Sequence, residues 1–295
     1  MNRRPLLLAT AGGLLLPAIL RAQGTAQTGT TQTGTTQTGT TQTGTTQTGT
    51  TQIGTAARPC RVGVTSGVHA QVLEQVRDVL ARDGFAVKIT EFGDFIQPNV
   101  ALAGGDIDAN TYQHQPFLDA QKAQRGYDFV PVGKTVLTVM AVFSRKLKSL
   151  ADLPQGGRVA IPNDPTNGGR ALLLLAQGGV IKLAPGVDFR ATVADVVENP
   201  KRLRFVELEA AQIARSLDDV DAAAITGNYA VPAGLNPLKD GLVKEGAESV
   251  YTCLVVVRRP DADAAWARKL ASGYGAPEVR RFVEEKFGGA VIVGA

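Results

Sequence analysis

Short apolar runs alternate with amphipathic runs from residue 61 to residue 258, and this alternation constrains the fold more than any other feature. The run "RVGVT" (61–65) precedes "HAQVLEQVRDVLARDG", whose apolar residues recur at helical spacing until Gly84. The next run, "FAVKITEF", predicts a strand, and the pattern continues through "RVAIP", "ALLLLAQ", "LRFVEL", "AAAIT" and "TCLVVVRR". Such alternation is typical of α/β layers with largely parallel sheets, which bind ligands beyond the carboxyl ends of their strands.

Two pieces of this pattern recur in the same order. The runs "RVGVTSG" (61–67) and "RVAIPND" (158–164) each predict a strand, a polar turn and a helix start. The runs "GDIDANTY" (105–112) and "DDVDAAAIT" (218–226) both predict a strand that begins at an alanine, Ala109 or Ala222. Polar residues follow each of these strands, in "YQH" (112–114) and "TGNY" (226–229). The recurrence indicates two similar lobes that present strand ends to a shared cleft, with chance similarity as the alternative.

Composition and charge exclude other classes of protein. The chain has 295 residues, of which 44% are hydrophobic and 20% charged, so it can bury one large core or two smaller ones. The net charge of +4 includes three arginines near the N-terminus, where the first 73 residues contain no acidic side chain. Because the rest of the chain is close to neutral and has no basic cluster, no nucleic-acid partner is expected.

The N-terminal segments predict export followed by a flexible spacer. Residues 1–22 combine a basic head, an apolar run and a small residue suited to cleavage, as in an export signal. The pair Arg3-Arg4 is compatible with the twin-arginine route, and an ordinary secretory signal is the alternative. No cysteine follows the apolar run, so a lipid anchor has no acceptor atom there. Residues 23–57 repeat "GTTQT" without a periodic apolar face, which predicts a flexible linker.

A single arginine stands in the stretch "PNDPTNGGR" (162–170), between a predicted strand and the helical run "ALLLLAQ". Arg170 is therefore expected in the first turn of a helix at the carboxyl end of a strand, where its guanidinium could bind a carboxylate. A surface salt bridge is the alternative. Replacing Arg170 by alanine is expected to weaken ligand binding and to leave the fold intact.

Several long runs resemble the methionine-binding proteins of ABC importers, the MetQ/NlpA family. These runs are "GDIDANTYQHQPFLD", "IPNDPTNGGRALLLL", "VVENPKRLRFVELEAAQIARSLDDVDAA" and "FGGAV", and the resemblance spans nearly all of residues 61–289. It implies a two-lobed periplasmic binding protein with a type II-like α/β fold, in which each lobe is a mixed sheet flanked by helices. Two crossover segments would join lobe one (58–137 and 258–295) to lobe two (138–257).

The resemblance also implies a ligand, partners and site residues. A monomeric periplasmic protein would close on methionine or a related amino acid and deliver it to an ABC permease and its ATPase. The implied ligand-binding residues are Tyr112, His114, Asn167, Arg170, Thr226 and Asn228. Arg170 would bind the ligand carboxylate, Thr226 and Asn228 the ammonium, and Tyr112 with Phe117 the apolar side chain. For Tyr112 and His114 the alternatives are a core position and a helix cap.

Two departures from the family pattern leave the ligand open. Thr226 stands where the family usually has asparagine, and "VLTVMAVFS" replaces a run in which an aromatic or acidic residue and then a proline are usual. A different apolar amino acid or a short methionine peptide is therefore an alternative ligand. No cofactor or metal site is expected, because the two histidines and two cysteines lack catalytic or metal-binding spacing. An enzyme and an adhesive protein are the remaining alternative classes.

The two cysteines, Cys60 and Cys253, have two possible states in an exported protein. They lie in separate strand-like runs. We expect two buried free thiols, with a single disulfide between them as the alternative.

Overall fold

Helices and strands alternate in the chain as predicted. A computed structural model describes residues 52–246 and 249–294. The predicted export signal (1–22) and residues 23–51 of the predicted linker lie outside the described residues. The strands of the described part are, in chain order, β1 (Cys60–Thr65), β2 (Val87–Phe92), β3 (Ala109–Asn110), β4 (Phe129–Lys134), β5 (Val136–Thr138), β6 (Ala141–Phe143), β7 (Arg158–Pro162), β8 (Lys182–Leu183), β9 (Val196–Glu198), β10 (Arg204–Leu208), β11 (Ala222–Ile225), β12 (Val243–Lys244), β13 (Leu254–Arg258) and β14 (Val291–Val293). The α-helices are α1 (Val68–Arg82), α2 (Gln97–Gly104), α3 (Gln115–Arg125), α4 (Pro165–Gln177), α5 (Ala210–Ile213), α6 (Gly227–Ala230), α7 (Ala265–Gly273) and α8 (Pro277–Phe287).

The first five-stranded sheet defines lobe one. Its strand order is β2-β1-β3-β13-β4. Strands β1, β2 and β3 run parallel, whereas β13 runs antiparallel to both β3 and β4. Helices α1, α7 and α8 cover one face, because their apolar stripes pack with β1 and β13 in a core that includes Val62, Leu73, Val255 and Leu270. A smaller apolar cluster around Leu102 and Leu118 belongs to the same lobe.

The second five-stranded sheet defines lobe two and repeats the design of the first. Its order is β10-β7-β11-β6-β12, with β10, β7 and β11 parallel and β6 antiparallel to β11 and β12. Two apolar clusters fill the lobe, one around Val159 and Leu172 and the other around Ile213 and Ile225. The predicted recurrence is therefore structural, since β1 corresponds to β7 and β3 to β11. The prediction of two α/β lobes with mixed sheets is confirmed.

The pairing of the strands differs from the predicted lobe boundaries at the second crossover. Strands β5 and β6 are separated by two residues, yet β5 pairs with β14 while β6 lies in the second sheet. Strand β13 lies in the first sheet, although the predicted boundary at 258 assigned residues 254–257 to lobe two. Its antiparallel pairing with β3 and β4 is the physical reason for the difference. We propose that the chain crosses to lobe two near Val139 and returns to lobe one before Leu254.

The end of the predicted linker packs against lobe one. Ile53 contacts the core of that lobe, and the amide of Ala86 donates a hydrogen bond of 2.7 Å to the carbonyl of Gly54. We therefore propose that the linker ends before residue 52 instead of at 57. Cys60 and Cys253 are both buried and free, as expected. Within 52–246 and 249–294, no helix is long and apolar enough to cross a bilayer.

Candidate functional site

Four central strands end at one cleft between the lobes. In lobe one these are β1 and β3, and in lobe two they are β7 and β11. The residues that follow them line a common pocket. This is the place where parallel α/β sheets bind ligands, because the loops after the strands leave backbone amides and side chains free to converge.

The structure brings all six predicted site residues into this pocket. Tyr112, His114 and Phe117 come from lobe one, whereas Asn167, Arg170, Thr226 and Asn228 come from lobe two. Phe117 was the seventh residue expected there. The lining also includes residues that the predicted set did not contain, namely His69, Phe95, Gln113, Thr138 and Cys253.

Arg170 lies in the second turn of α4, one turn later than predicted. The helix begins at Pro165, with Asp164 as its N-cap, whose carboxylate accepts hydrogen bonds from the amides of Thr166 and Asn167. Residues 165–168, in the stretch that precedes the predicted helical run, therefore form the first helical turn. The later position places the guanidinium of Arg170 deep in the molecule, where the side chain is 3% exposed.

Arg170 forms a buried ion pair that the sequence analysis did not predict. Its Nε and Nη2 atoms each lie 2.5 Å from a carboxylate oxygen of Glu245, which follows β12. Nη2 also donates to the carbonyl of Thr138 at 3.2 Å, and the ring of Tyr251 lies 4.2 Å from the guanidinium carbon. Burial opposes the charge, but the Glu245 carboxylate outweighs it and keeps the pKa of Arg170 above its ordinary value. Glu245 thus occupies the Nε–Nη2 edge of the guanidinium, which could otherwise form a bidentate contact with a ligand carboxylate.

Asn167 links Arg170 to lobe one through His114. The amide nitrogen of Asn167 donates to both carboxylate oxygens of Asp164 at 3.0 Å, which fixes its oxygen toward the pocket. That oxygen accepts from Nη1 of Arg170 at 3.2 Å and lies 3.3 Å from Nε2 of His114. Nδ1 of His114 accepts from the amide of Phe117, as a cap of α3, so the ring proton belongs on Nε2. His114 is therefore both a helix cap and a pocket residue.

Both histidines of the pocket are held in the neutral form. Burial, with a smaller effect of Arg170, lowers the pKa of His114 to about 3 and that of His69 to about 4. Burial likewise raises the pKa of the Cys253 thiol to about 12. The Sγ atom of Cys253 lies 3.9 Å from Nε2 of His69 and donates to the carbonyl of Tyr112 at 3.1 Å. Near neutral pH, Arg170 is therefore the one cation among the described residues that line the pocket, and the rest of this lining is neutral.

One side of the pocket is aromatic. The ring centroids of Tyr112 and Phe117 lie 6.1 Å apart, and Phe95 stands 6.1 Å and 6.2 Å from them. The hydroxyl of Tyr112 donates to the carbonyl of Phe95 at 2.7 Å, which holds the two segments together. Tyr229 of lobe two completes the group at 5.4 Å from Phe95. Such a wall suits an apolar or sulfur-containing side chain.

Asn228 and Thr226 have different surroundings, although both were predicted to bind an ammonium group. The side-chain amide of Asn228 is fully buried and bonds to the β1–α1 turn of lobe one. The hydroxyl of Thr226 is buried as well, but it has no hydrogen-bond partner among residues 52–246 and 249–294. Thr226 therefore retains a free polar atom at the pocket, whereas the amide of Asn228 is already engaged.

A polar network holds the lobe-one loop that carries the pocket residues. The side-chain amides of Asn99, Asn110 and Gln113 bond to one another at 2.7 to 2.9 Å, and all three residues are buried. Because the donors and acceptors of this network match, the loop after β3 is fixed. It presents Tyr112 and His114 at a defined position beside the cleft.

The pocket is small in this conformation. Its cavity volume is about 20 Å³, which is room for about one water molecule. An amino acid is much larger, so its entry requires the two lobes, or side chains at their boundary, to move apart. Among the described residues, no group of three or more His, Cys, Asp or Glu side chains is arranged to hold a metal ion.

The residues that were not predicted gave weak signals in the sequence. Glu245 follows a strand of two residues, and an acidic side chain in a polar loop does not indicate a partner 75 residues away. Cys253 and His69 lack the sequence spacing of a catalytic or metal-binding motif, so the sequence does not predict a site at them. Phe95 lies in the short connection between β2 and α2, where no periodic pattern identifies the side facing the cleft.

Comparisons with known proteins agree on one family. The family model described as NlpA lipoprotein matches residues 60–295. The D-methionine-binding lipoprotein MetQ of Escherichia coli (strain K12) is 47% identical over 238 residues, which cover 79% of this chain and 88% of that relative. A probable D-methionine-binding lipoprotein MetQ of Vibrio cholerae serotype O1 is 43% identical over 235 residues, covering 79% and 87%.

Solved structures agree with these relatives. A nutrient-binding protein from Burkholderia cenocepacia, bound to methionine, superposes with a TM-score of 0.78 and 47% identity. The match covers 80% of this chain and all of that one. A second structure, of the methionine-binding protein MetQ, gives a TM-score of 0.78 and 46% identity over 80% of this chain and 97% of that one.

Proposed function

The chain belongs to the NlpA lipoprotein family, and from this premise we propose that it is the substrate-binding protein of an ABC importer and binds methionine between its lobes. The family membership confirms the resemblance found in the sequence. The observation that carries the proposal is a pocket in which a buried arginine faces an aromatic wall across two lobes. The methionine complex of a protein 47% identical supports the same ligand.

The arrangement suggests an orientation for the ligand. Since Glu245 takes the Nε edge of Arg170, we expect the ligand carboxylate at the Nη1 side, near Asn167. The thioether would lie against Phe95, Tyr112 and Phe117. The hydroxyl of Thr226, which has no partner in the described part of the chain, is our candidate acceptor for the ammonium group. This revises the role first expected for Arg170, because the Nε edge is free for a bidentate contact only if Glu245 moves away.

The chemistry of the pocket argues against catalysis. Cys253 and His69 are the one thiol–imidazole pair there. A reactive pair needs a thiolate beside an imidazolium, but burial shifts both pKa values in the opposite direction, to about 12 for Cys253 and about 4 for His69. We therefore propose that the protein binds its ligand without converting it.

Partners and location follow from the same proposal. A substrate-binding protein of this type, acting as a monomer in the periplasm, would release its ligand to a membrane permease driven by an ATPase. The twin-arginine route remains a proposal for its export, based on Arg3 and Arg4 in the sequence.

Calorimetric titration tests the proposal. The protein would first be purified in its native state. Mild denaturation and refolding would then remove any co-purified ligand. The ligand-free protein would be titrated with L-methionine, D-methionine, L-leucine and a methionine dipeptide. We expect saturable 1:1 binding of L-methionine or D-methionine, with L-leucine and the dipeptide weaker. Phe117→Ala should weaken methionine binding, whereas Phe282→Ala, a partly buried aromatic residue on α8 away from the pocket, should not. Equal affinity for leucine and methionine would contradict methionine as the preferred ligand, and no binding of any amino acid would contradict the function.

A further inference from the structure

The N-terminus of α1 in lobe one lacks a capping side chain of its own. Its N-cap residue is Gly67, which has no side chain to accept a hydrogen bond from the first turn. The free amides at a helix start need acceptors, and a buried helix end without them is destabilising. His69, the second residue of the helix, is 3% exposed, so water does not readily supply the missing acceptor.

Lobe two supplies that acceptor. The side-chain oxygen of Asn228 accepts the hydrogen bond of the His69 amide at 3.0 Å, which is the bond that an N-cap side chain normally makes. The amide nitrogen of the same side chain donates to the carbonyl of Ser66 at 3.0 Å and faces the hydroxyl of Thr65 at 3.5 Å. Asn228 thus bonds to Ser66 in the β1–α1 turn and to His69 in the first turn of α1, although it lies 159 positions from His69 in the sequence.

The backbone conformation of Gly67 and its lack of a side chain allow this contact. Its φ of +106° lies in the region that favours glycine, and a Cβ atom added there would stand 2.5 Å from the backbone carbonyl oxygen of Asn228. The turn of lobe one and the short helix α6 of lobe two therefore approach too closely to leave room for a side chain at position 67. A side chain at position 67 would have to separate them.

We propose that Asn228 is a positioning residue for closure, which caps α1 from the opposite lobe and so stabilises the closed cleft. The inference rests on the proposed function, in which the lobes separate and close around a ligand. When the lobes separate, the amide of His69 loses its cap and the amide of Asn228 loses its bonds to lobe one. Closure therefore has a contribution from the protein itself, independent of ligand contacts.

The two native cysteines offer a direct test. Cys253 lines the pocket at 3% exposure, so a thiol reagent reaches it when the cleft opens. Cys60 is fully buried in β1 and reports unfolding of lobe one instead. Alkylation of each thiol by iodoacetamide, measured by peptide mass spectrometry in the absence of ligand, separates opening of the cleft from loss of the fold.

Asn228→Ala should increase the alkylation rate of Cys253 by about 2- to 30-fold, the range that corresponds to loss of one N-cap. The rate at Cys60 should stay unchanged. Asn199→Ala is the matched control, because the side chain of Asn199 bonds to Leu203 within lobe two. Gly67→Ala is a second variant, which changes the lobe-one side of the same contact, and it should also accelerate alkylation of Cys253.

Unchanged alkylation of Cys253 in both Asn228→Ala and Gly67→Ala would overturn the proposal. Equal acceleration at Cys253 and Cys60 in Asn228→Ala would also overturn it, because Asn228 would then support the fold as a whole. Both readouts are taken without ligand, so they are independent of the methionine titration. If wild-type protein fails to bind methionine, the proposed function fails while the closure contact can still be observed.

Discussion

Removing the positive charge of Arg170 should destabilise the protein as well as weaken binding. The structure revises the expectation from the sequence, in which the fold would survive replacement of this residue unchanged. Arg170 is 3% exposed and Glu245 11% exposed, and their two hydrogen bonds are charge-assisted. Arg170→Met keeps the apolar stem of the side chain and removes the guanidinium, so its main effect is to leave the buried Glu245 carboxylate without its charged partner.

The expected magnitude follows from the geometry of the pair. Breaking a buried ion pair from one side costs about 3–5 kcal/mol of the free energy of unfolding. Glu245 keeps one hydrogen bond, from the amide of Met140 at 2.9 Å, and this limits the loss. We therefore expect Arg170→Met to lower the free energy of unfolding by about 3 kcal/mol, near the lower end of that range. The double variant Arg170→Met/Glu245→Gln should recover about 1–3 kcal/mol, because no unpaired charge remains.

Urea denaturation followed by circular dichroism measures these differences. The stability order should be wild type, then the double variant, then Arg170→Met. Lys182→Met is the control, since its ion pair with Glu198 is exposed on lobe two and should contribute less than about 1 kcal/mol. An Arg170→Met protein within 1 kcal/mol of wild type, or a double variant less stable than Arg170→Met, would refute the reasoning that a buried carboxylate is stranded.

Three further predictions concern individual side chains. Thr226→Val removes a hydroxyl that has no partner in the described residues, so calorimetry should find methionine affinity reduced by about 1.5–3 kcal/mol, with thermal stability unchanged or raised; unchanged affinity would exclude this hydroxyl from the site. Burial lowers the pKa of His114 to about 3, whereas a histidine in the unfolded chain has a pKa near 6.5. Unfolding therefore takes up a proton between these two pH values. The stability that neutral His114 contributes is full above about pH 6.5 and falls as the pH decreases. His114→Asn keeps a cap acceptor but removes this titration, so its stability should change less steeply between pH 4 and 6.5 in urea melts; an unchanged slope would contradict a neutral His114. Burial raises the pKa of Asp108, but the hydrogen bonds from Arg61 outweigh burial and leave this pKa below its ordinary value. The stability that this pair contributes is therefore present above about pH 4 and is lost at lower pH. Asp108→Asn should flatten the acid end of the same curve of stability against pH.

The fold was predictable from the sequence because its signals are local. The apolar runs of β1 and β7 and the helical spacing in α1 indicate their own structure, and the repeated Asp-Ala pieces identified β3 and β11 as corresponding strands. The start of α4 was missed although the sequence contained its signal. Asp164 followed by Pro165 is an N-cap and a first helical position, whereas the first helical turn was expected at Arg170.

The predicted site residues converge, but their partners depend on tertiary structure. Arg170 was expected to face a ligand, and no pattern in the chain indicated that Glu245 returns to it from a two-residue strand. Asn228 was expected to bind a ligand, whereas its amide contacts lie in the turn before α1. The residue type predicts the kind of partner, which is a carboxylate for Arg170 and a backbone group for Asn228. Only the packing of the two lobes determines which carboxylate or which backbone group that is.

Anomalous diffraction from a crystal grown with L-selenomethionine tests the central claim most directly, since selenium marks the position of the thioether. The ordinary methionines of the chain, such as Met140, remain unlabelled when the protein is produced with natural amino acids. We predict a single strong selenium peak between the rings of Phe95, Tyr112 and Phe117, with the ligand carboxylate directed to Arg170. A selenium peak outside the pocket, or a pocket that selenomethionine does not enter at saturating concentration, would contradict the account.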